Sequence, residues 1–158
     1  MASDDKFHIG WGRRGFLGGS AAALGAALAG SRPARAALPQ VEVWKDRSCE
    51  CCGKWARHMQ AAGFSLAIHH ADDLAGVKEL HAIPVSLQSC HTARLGGYLI
   101  EGHVPATDVQ RLLTERPQAR GLAVPGMPPA SPGMDLQGPG YSVFLFGSPA
   151  GDSVFAQH

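Results

Sequence analysis

Three cysteines lie within four residues of this 158-residue chain, in the segment Cys49-Glu50-Cys51-Cys52-Gly53. A strand-like run ends at Lys45, and a helix-like run begins at Lys54. The first N–H groups of a helix point toward such a turn, and the helix dipole there favours thiolate over thiol. Thiolates bind soft metal ions and also attack disulfides. The segment therefore predicts either a site for a thiophilic metal or a redox site.

The fourth cysteine, Cys90, lies in a predicted β-hairpin. Two strand-like runs flank Gly96-Gly97, which is typical of a two-residue hairpin loop. With these glycines as the loop, Cys90 faces His103, and directly opposed side chains lie about 5 Å apart at Cβ. A thiolate and an imidazole at that separation can share a metal ion. The neighbouring His91 would point away from Cys90 if it belongs to the strand, but its position at the edge of a loop leaves a place in the site open.

Two methionines follow Pro-Gly pairs in a loop, Met127 after Pro125-Gly126 and Met134 after Pro132-Gly133. Proline and glycine fix and turn the backbone, so each thioether could be held toward a site, and copper(I) accepts thioethers. The alternative is that both methionines fill gaps in the core, as most methionines do. The other histidines are expected at the surface, although His58 lies close to Cys52 on the first helix: His58, His69, His70, His81 and His158.

The elements that must position these residues follow from hydrophobic periodicity and from breakers. We predict strands at 41–45, 64–69, 89–95 and 98–103, helices at 54–62, 72–80 and 106–116, a loop at 122–140 and a final hairpin at 141–146 and 153–156. The apolar stripe of the second helix would be Leu74, Val77 and Leu80 or Ile83. The order β-α-β-α-β-β-α resembles a single α/β domain of the thioredoxin-like fold. In that fold Cys90 would lie beside the first cysteine turn and complete a four-thiol cluster.

The first 36 residues read as an export signal. Arg13-Arg14 precedes a short apolar run, and Ala34-Arg35-Ala36 offers a small-x-small cleavage site, so the mature domain is expected at 37–158. The pattern resembles a twin-arginine signal and implies the bacterial periplasm. Residues 37–158 contain nine Lys and Arg against eleven Asp and Glu, a formal net charge of −2. We therefore expect no nucleic-acid partner and no membrane span in the mature form.

Taken together, four motifs resemble the CopG-type copper-resistance family of small exported proteins. They are Cys49-x-Cys51-Cys52-Gly53-Lys54-Trp55, Ser89-Cys90-His91-Thr92-Ala93, Glu101-Gly102-His103-Val104-Pro105-Ala106 and the loop with Gly126-Met127-Pro128 and Ser131-Pro132-Gly133-Met134. The resemblance implies a thioredoxin-like fold and a multinuclear copper centre bridged by cysteines. The ligands carried over by motif are Cys49, Cys51, Cys52, Cys90, His103, Met127 and Met134. An exposed metal-binding loop would suit docking to periplasmic copper carriers or exporters.

Four functions compete for these thiols. The leading hypothesis is Cu(I) binding, with several ions per chain, for sequestration, delivery or Cu(I)/Cu(II) redox cycling. The main alternative is a thiol–disulfide oxidoreductase that uses Cys49 and Cys52, although Cys51 would reshuffle their disulfide. A zinc site normally uses separated C-x₂-C pairs, and a purely structural disulfide framework would leave the clustering unexplained. We expect a binding protein rather than an enzyme.

Overall fold

The structure is a computed structural model that describes residues 38–158. The predicted export signal lies outside the described residues. Seven strands and three α-helices occur in the described part: β1 (Val41–Lys45), α1 (Glu50–Ala61), β2 (Leu66–His70), α2 (Leu74–Leu80), β3 (His91–Leu95), β4 (Tyr98–Glu101), α3 (Ala106–Glu115), β5 (Gly121–Ala123), β6 (Ser142–Phe146) and β7 (Ser153–Gln157). A 3₁₀ turn at Val85–Leu87 precedes β3. None of the described helices is long and apolar enough to cross a membrane.

All seven strands form one mixed sheet in the order β2-β1-β3-β4-β5-β6-β7. The pairs β1–β2 and β4–β5 are parallel, and the other neighbours are antiparallel. Leu95 pairs with Tyr98 across Gly96-Gly97, which is the hairpin register that the sequence predicts. The α/β class and the predicted element order through α3 are confirmed. The thioredoxin-like assignment stays an interpretation, with which the order β2-β1-β3-β4 is consistent.

Apolar side chains pack on both faces of the sheet. The larger cluster joins β1, β3 and β4 to α1 and α3, and its largest members include Trp55, Met59, Leu95, Ile100 and Leu112. The smaller cluster contains Ile83, Leu87, Leu99, Ala123 and Phe146. The larger cluster fixes the start of α1 against the ends of β3 and β4, where the reactive residues lie.

Two predicted helices differ in detail. Helix α1 begins at Glu50, four residues before Lys54, because the Cys49 side chain caps it. The stripe predicted for α2 continues to Ile83, which is buried, and not to Leu80, which is 82% exposed. The one buried residue of the helix is Lys78, which the stripe did not include. Lys78 turns inward because a buried carboxylate, described below, receives its ammonium group.

A short strand was missed in the region predicted as a loop. Leu122 and Ala123 belong to β5, which pairs in parallel with β4. A Cβ at Gly121 would lie 1.8 Å from the Leu99 carbonyl oxygen, so only glycine permits this approach. Three residues are too few to show a periodic pattern. The final hairpin, β6 and β7, is antiparallel as predicted.

Candidate metal centre

The N-terminus of α1 carries three of the thiols. Cys49 is the N-cap residue in extended conformation, and its sulfur accepts a hydrogen bond from the Cys52 N–H at 3.3 Å. Cys51 and Cys52 therefore occupy the first helical turn rather than a loop before it. The helix dipole acts there on all three sulfur atoms and favours negative charge. The local sequence thus gathers three soft donors at the positive end of a helix.

Cys49 and Cys52 form a disulfide, while Cys51 and Cys90 are free thiols. Cys49 Sγ lies 3.5 Å from Cys51 Sγ. The four cysteine sulfurs all lie within 4.8 Å of one another, so the fold brings Cys90 to the cysteine turn. A C-x-x-C pair and a free thiol pair thus share one small volume.

Cys90 and His103 meet directly, with Sγ 2.9 Å from Nε2. The other ring nitrogen, Nδ1, lies 2.7 Å from the carbonyl oxygen of Pro132. A carbonyl only accepts, so Nδ1 carries the proton and Nε2 presents its lone pair to Cys90. Such an outer hydrogen bond fixes the tautomer and orientation of a metal-binding imidazole. Burial lowers the pKa of His103, which keeps the ring neutral.

Burial also controls the Cys90 thiol. Desolvation, with the nearby Cys51 sulfur as the next cause, raises the pKa of Cys90 to about 12. Without a metal ion, Cys90 is therefore a neutral thiol at physiological pH and donates its proton to His103. A bound cation would replace that proton and convert the sulfur to thiolate.

His91 lies in the site, the alternative that its position at the edge of a loop left open. Its Nδ1 is 3.4 Å from Cys90 Sγ, and its ring lies 4.2 Å from the Trp55 ring and 5.3 Å from the His103 ring. Alternation fails because β3 begins at His91, so Cys90 lies outside the regular strand. His91 is fully buried, and its Nε2 lacks a hydrogen-bond partner among the described residues. The adjacency to Cys90 was the available sequence signal.

Two overlapping donor sets result. One consists of the four cysteine sulfurs, and the other contains Cys52, Cys90, His91 and His103, again within 4.8 Å of one another. Cys52 and Cys90 belong to both sets. The first set has only soft sulfur donors, whereas the second adds two borderline imidazoles. The site can therefore accept soft metal ions, and its two sets differ in the donors they offer.

The methionine loop lies beside this site, but its two thioethers differ in position. Gly133 packs so closely on α1 that a Cβ there would lie 2.7 Å from the Trp55 nitrogen and 2.8 Å from the Cys51 oxygen. Met134, the next residue, is partly buried. Met127 is 53% exposed. A ligand role for either methionine stays a prediction.

The remaining histidines serve other contacts. His58 Nε2 accepts the Ala106 N–H at 3.0 Å, at the start of α3. His69 stacks on Trp44, His81 also lies against Trp44, and His158 pairs with Asp108. His70 is exposed at the end of β2. Each of these five rings belongs to a part of the domain outside the two donor sets.

Comparison with known proteins places this arrangement in a family. The family model described as "Protein of unknown function, DUF411" matches residues 87–134. The solved structure titled "Copper resistance protein copG- Form 2" is 39% identical over 77% of this chain and 98% of its own, with a TM-score of 0.72. This chain belongs to the CopG family. The CopG structure titled "Form 1" is similar at the same identity and coverage, with a TM-score of 0.71. No curated protein sequence matches the chain.

The CopG relationship spans the described domain, and the family-model match contains Cys90, His91, His103 and both loop methionines. The cysteine turn at 49–52 precedes that matched segment.

Proposed function

We propose that this protein binds Cu(I) in a cysteine-bridged cluster of several ions and contributes to bacterial copper resistance. The observation that carries the proposal is the convergence of four cysteine sulfurs within 4.8 Å of one another. Cu(I) prefers soft thiolates, and each bridging sulfur can serve more than one ion. The titles of the related structures, which name a copper resistance protein, support the choice of metal.

The proposed ligands are Cys49, Cys51, Cys52, Cys90 and His103, with Met127 and Met134 as loop ligands. Copper loading by all four thiolates requires reduction of the Cys49–Cys52 disulfide, because a disulfide sulfur is not a thiolate. The N-terminal twin-arginine pattern supports export to the periplasm, where the protein would sequester copper or pass it to a carrier or exporter. Binding rather than catalysis is the proposed activity.

An anaerobic Cu(I) titration of the reduced domain 37–158 against a competing chelator tests the proposal. We expect tight binding of more than one copper per chain, because four thiolates and an imidazole converge. Cys51→Ser should lower the copper stoichiometry, whereas His70→Ala, exposed at the end of β2, should leave it unchanged. Unchanged stoichiometry in Cys51→Ser, together with its loss in Cys49→Ser and Cys52→Ser, would rule out a three-thiol cluster at the turn.

The disulfide favours a second candidate function, thiol–disulfide exchange. Cys49 and Cys52 form a C-x-x-C disulfide at a helix N-terminus, where a thiolate leaving group is stabilised. In that reaction the disulfide takes two electrons and two protons from a substrate dithiol, which becomes a disulfide. Failure of the reduced protein to compete for Cu(I), combined with reversible exchange of this disulfide in a glutathione buffer, would support the second function over the first.

A further inference from the structure

A buried ion pair lies behind the candidate metal centre. Glu101 on β4 is fully buried, and Lys78 from α2 is 5% exposed. Lys78 Nζ donates to Glu101 Oε1 at 2.5 Å and to Thr92 Oγ1 at 3.1 Å, while Thr92 Oγ1 donates to Glu101 Oε2 at 2.7 Å. Burying two charges is costly, and well-packed apolar residues of similar size often give equal or higher stability. Stability alone is therefore a weak explanation for this pair.

The carboxylate has one further partner, which lies next to the metal centre. The main-chain N–H of Ser89 donates to Glu101 Oε1 at 2.7 Å. Ser89 directly precedes Cys90, and Glu101 precedes His103 by two residues. The Glu101 side chain thus ties the backbone that carries Cys90 to the strand that leads to His103. These are the two residues whose Sγ and Nε2 lie 2.9 Å apart.

The same short segment is held from its other side. Ser89 Oγ donates to the carbonyl oxygen of Gly126, and the Gly126 N–H donates to the Gln88 carbonyl at 3.2 Å. The Ser89 side chain packs closely on the backbone of Gly102, since a Cβ at Gly102 would lie 2.4 Å from Ser89 Oγ. This contact limits the movement of Ser89. Cys90 itself lies outside β3, so the regular sheet hydrogen bonds do not fix it. The contacts of Ser89 do that instead.

We propose that Glu101 is a positioning residue for the metal centre: its side-chain oxygen accepts the Ser89 N–H and so sets Cys90 against His103, while Lys78 balances the buried charge. This inference rests on the proposed copper function, because it assigns Glu101 to the preparation of a ligand. Lys78 and Glu101 lie outside both donor sets. The role of Glu101 is to reduce the freedom of the Cys90 thiol before binding.

Two double variants test the role of the carboxylate acceptor. Lys78→Met with Glu101→Gln removes both charges but keeps an oxygen for the Ser89 N–H. Lys78→Met with Glu101→Leu removes the charges and that oxygen, in nearly the same volume. In the reduced protein we expect the glutamine variant to retain Cu(I) affinity within about threefold of wild type. The leucine variant should lose about tenfold or more, the cost expected of an outer-shell contact. Thermal unfolding verifies that both variants fold.

The possible outcomes separate this inference from the proposed function. Wild type that binds no copper contradicts the proposed function itself. Wild-type affinity in the leucine variant, or equal losses in both folded variants, overturns the positioning role. Amide hydrogen exchange in metal-free wild type provides a test that needs no variant. The Ser89 N–H should be protected to the level of the β3 amides, and exchange at the rate of an unstructured chain would overturn the inference.

Discussion

At the residue scale, Cys90 is the centre of the site. Its thiol donates a hydrogen bond to His103 Nε2, and His103 Nδ1 donates a hydrogen bond to the Pro132 carbonyl oxygen. This chain of hydrogen bonds defines the proton positions of the metal-free form. A metal ion that binds between Cys90 and His103 would displace only the thiol proton, because Nε2 already presents a lone pair. The imidazole is therefore prepared for binding, whereas the thiol must ionise.

The raised pKa of Cys90 makes copper binding depend on pH. Since the pKa is about 12, Cys90 is protonated when metal-free and must release one proton on binding. Each unit of increase in pH lowers the free energy of that release by about 1.4 kcal/mol. The release from Cys90 should therefore raise the apparent Cu(I) affinity about tenfold for each unit of increase in pH. Cu(I) competition titrations between about pH 6 and 8 measure this slope.

Cys90→Ser serves as the test of that slope, with His70→Ala as the control. In the serine variant, the slope of log affinity against pH should be smaller by about one, because one proton fewer is released on binding. The histidine variant should keep the wild-type slope. Equal slopes in wild type and Cys90→Ser would show that Cys90 is not the group that releases the proton.

Residue-level reasoning reached the Cys90–His103 contact because a two-residue hairpin loop fixes register. It left the position of His91 undecided, since the rule of alternating faces applies only within a strand and β3 begins at that residue. The ion pair of Lys78 with Glu101 was missed. A lysine in a short helix gives no sequence signal that a carboxylate from another element will receive it inside the protein.

At the element scale, the two long helices are joined at an end. The Ala106 N–H opens α3 and is one of the helix donors without an intrahelical partner. His58 of α1 supplies the missing acceptor, since Pro105 at the N-cap position provides no side-chain acceptor. Helix α1, which carries the cysteine turn, is thereby fixed to α3. The contact requires an unprotonated Nε2.

This helix junction should weaken in acid. Desolvation lowers the pKa of His58 in the folded state. The unfolded state therefore binds a proton first as pH falls below about 6.5, and stability declines from there toward the lower folded-state pKa. His58→Gln keeps an acceptor without a titrating ring and should show a shallower decline. The difference should be below the limit of about 1.4 kcal/mol per pH unit for one proton, since the ring is partly exposed.

Urea unfolding at a series of pH values measures the His58 effect, with His69→Gln as the matched control. His69 is exposed on β2 and stacks on Trp44, outside the contact between His58 and Ala106. Its substitution should leave the pH profile unchanged. Identical profiles for His58→Gln and wild type would show that the ring does not act as a neutral acceptor.

At the scale of the whole molecule, the site is assembled from distant parts of the chain. The cysteine turn, the start of β3, the segment that follows β4 and the loop near Pro132 all contribute. Gly133 of that loop packs directly against the backbone of α1. The loop therefore closes one side of the metal centre, and its fit depends on the absence of a side chain at Gly133.

Two glycines allow this fit to be tested separately from backbone strain. Gly133 has φ 90° and Gly97 has φ 89°, but a Cβ at Gly97 would meet nothing within 4 Å. Alanine at either position costs strain of about 1–2 kcal/mol. Gly133→Ala adds overpacking of about 1–3 kcal/mol against α1. We expect both variants to be less stable, and only Gly133→Ala to bind Cu(I) more weakly.

Thermal unfolding and Cu(I) competition on this pair of variants give the readout. Wild-type copper affinity in Gly133→Ala would mean that the position of the loop does not matter to the site. Equal loss of affinity in Gly97→Ala would instead implicate general destabilisation.

The sequence predicted most of the architecture because its strands and long helices have clear periods and breakers. The buried position of Lys78 on α2 and the strand β5 were the parts that the sequence did not predict, for different reasons. Tertiary contacts place Lys78 inside the protein. Gly121 permits the pairing of β5 with β4, which no local sequence pattern predicts. The loop at 124–140 has no period at all, so only the folded chain reveals that Pro132 and Gly133 contact the site.

Trp55 gives the protein an optical reporter of its own. The indole is fully buried, its Nε1 donates to the Val104 carbonyl at 2.8 Å, and its ring lies 4.2 Å from that of His91. Emission from an indole held this way is sensitive to a metal ion bound beside it. With Trp44→Phe removing the other tryptophan of the described residues, fluorescence quenching would register occupancy of the site during a reaction. Filling and emptying of the centre could then be followed in real time, without a label.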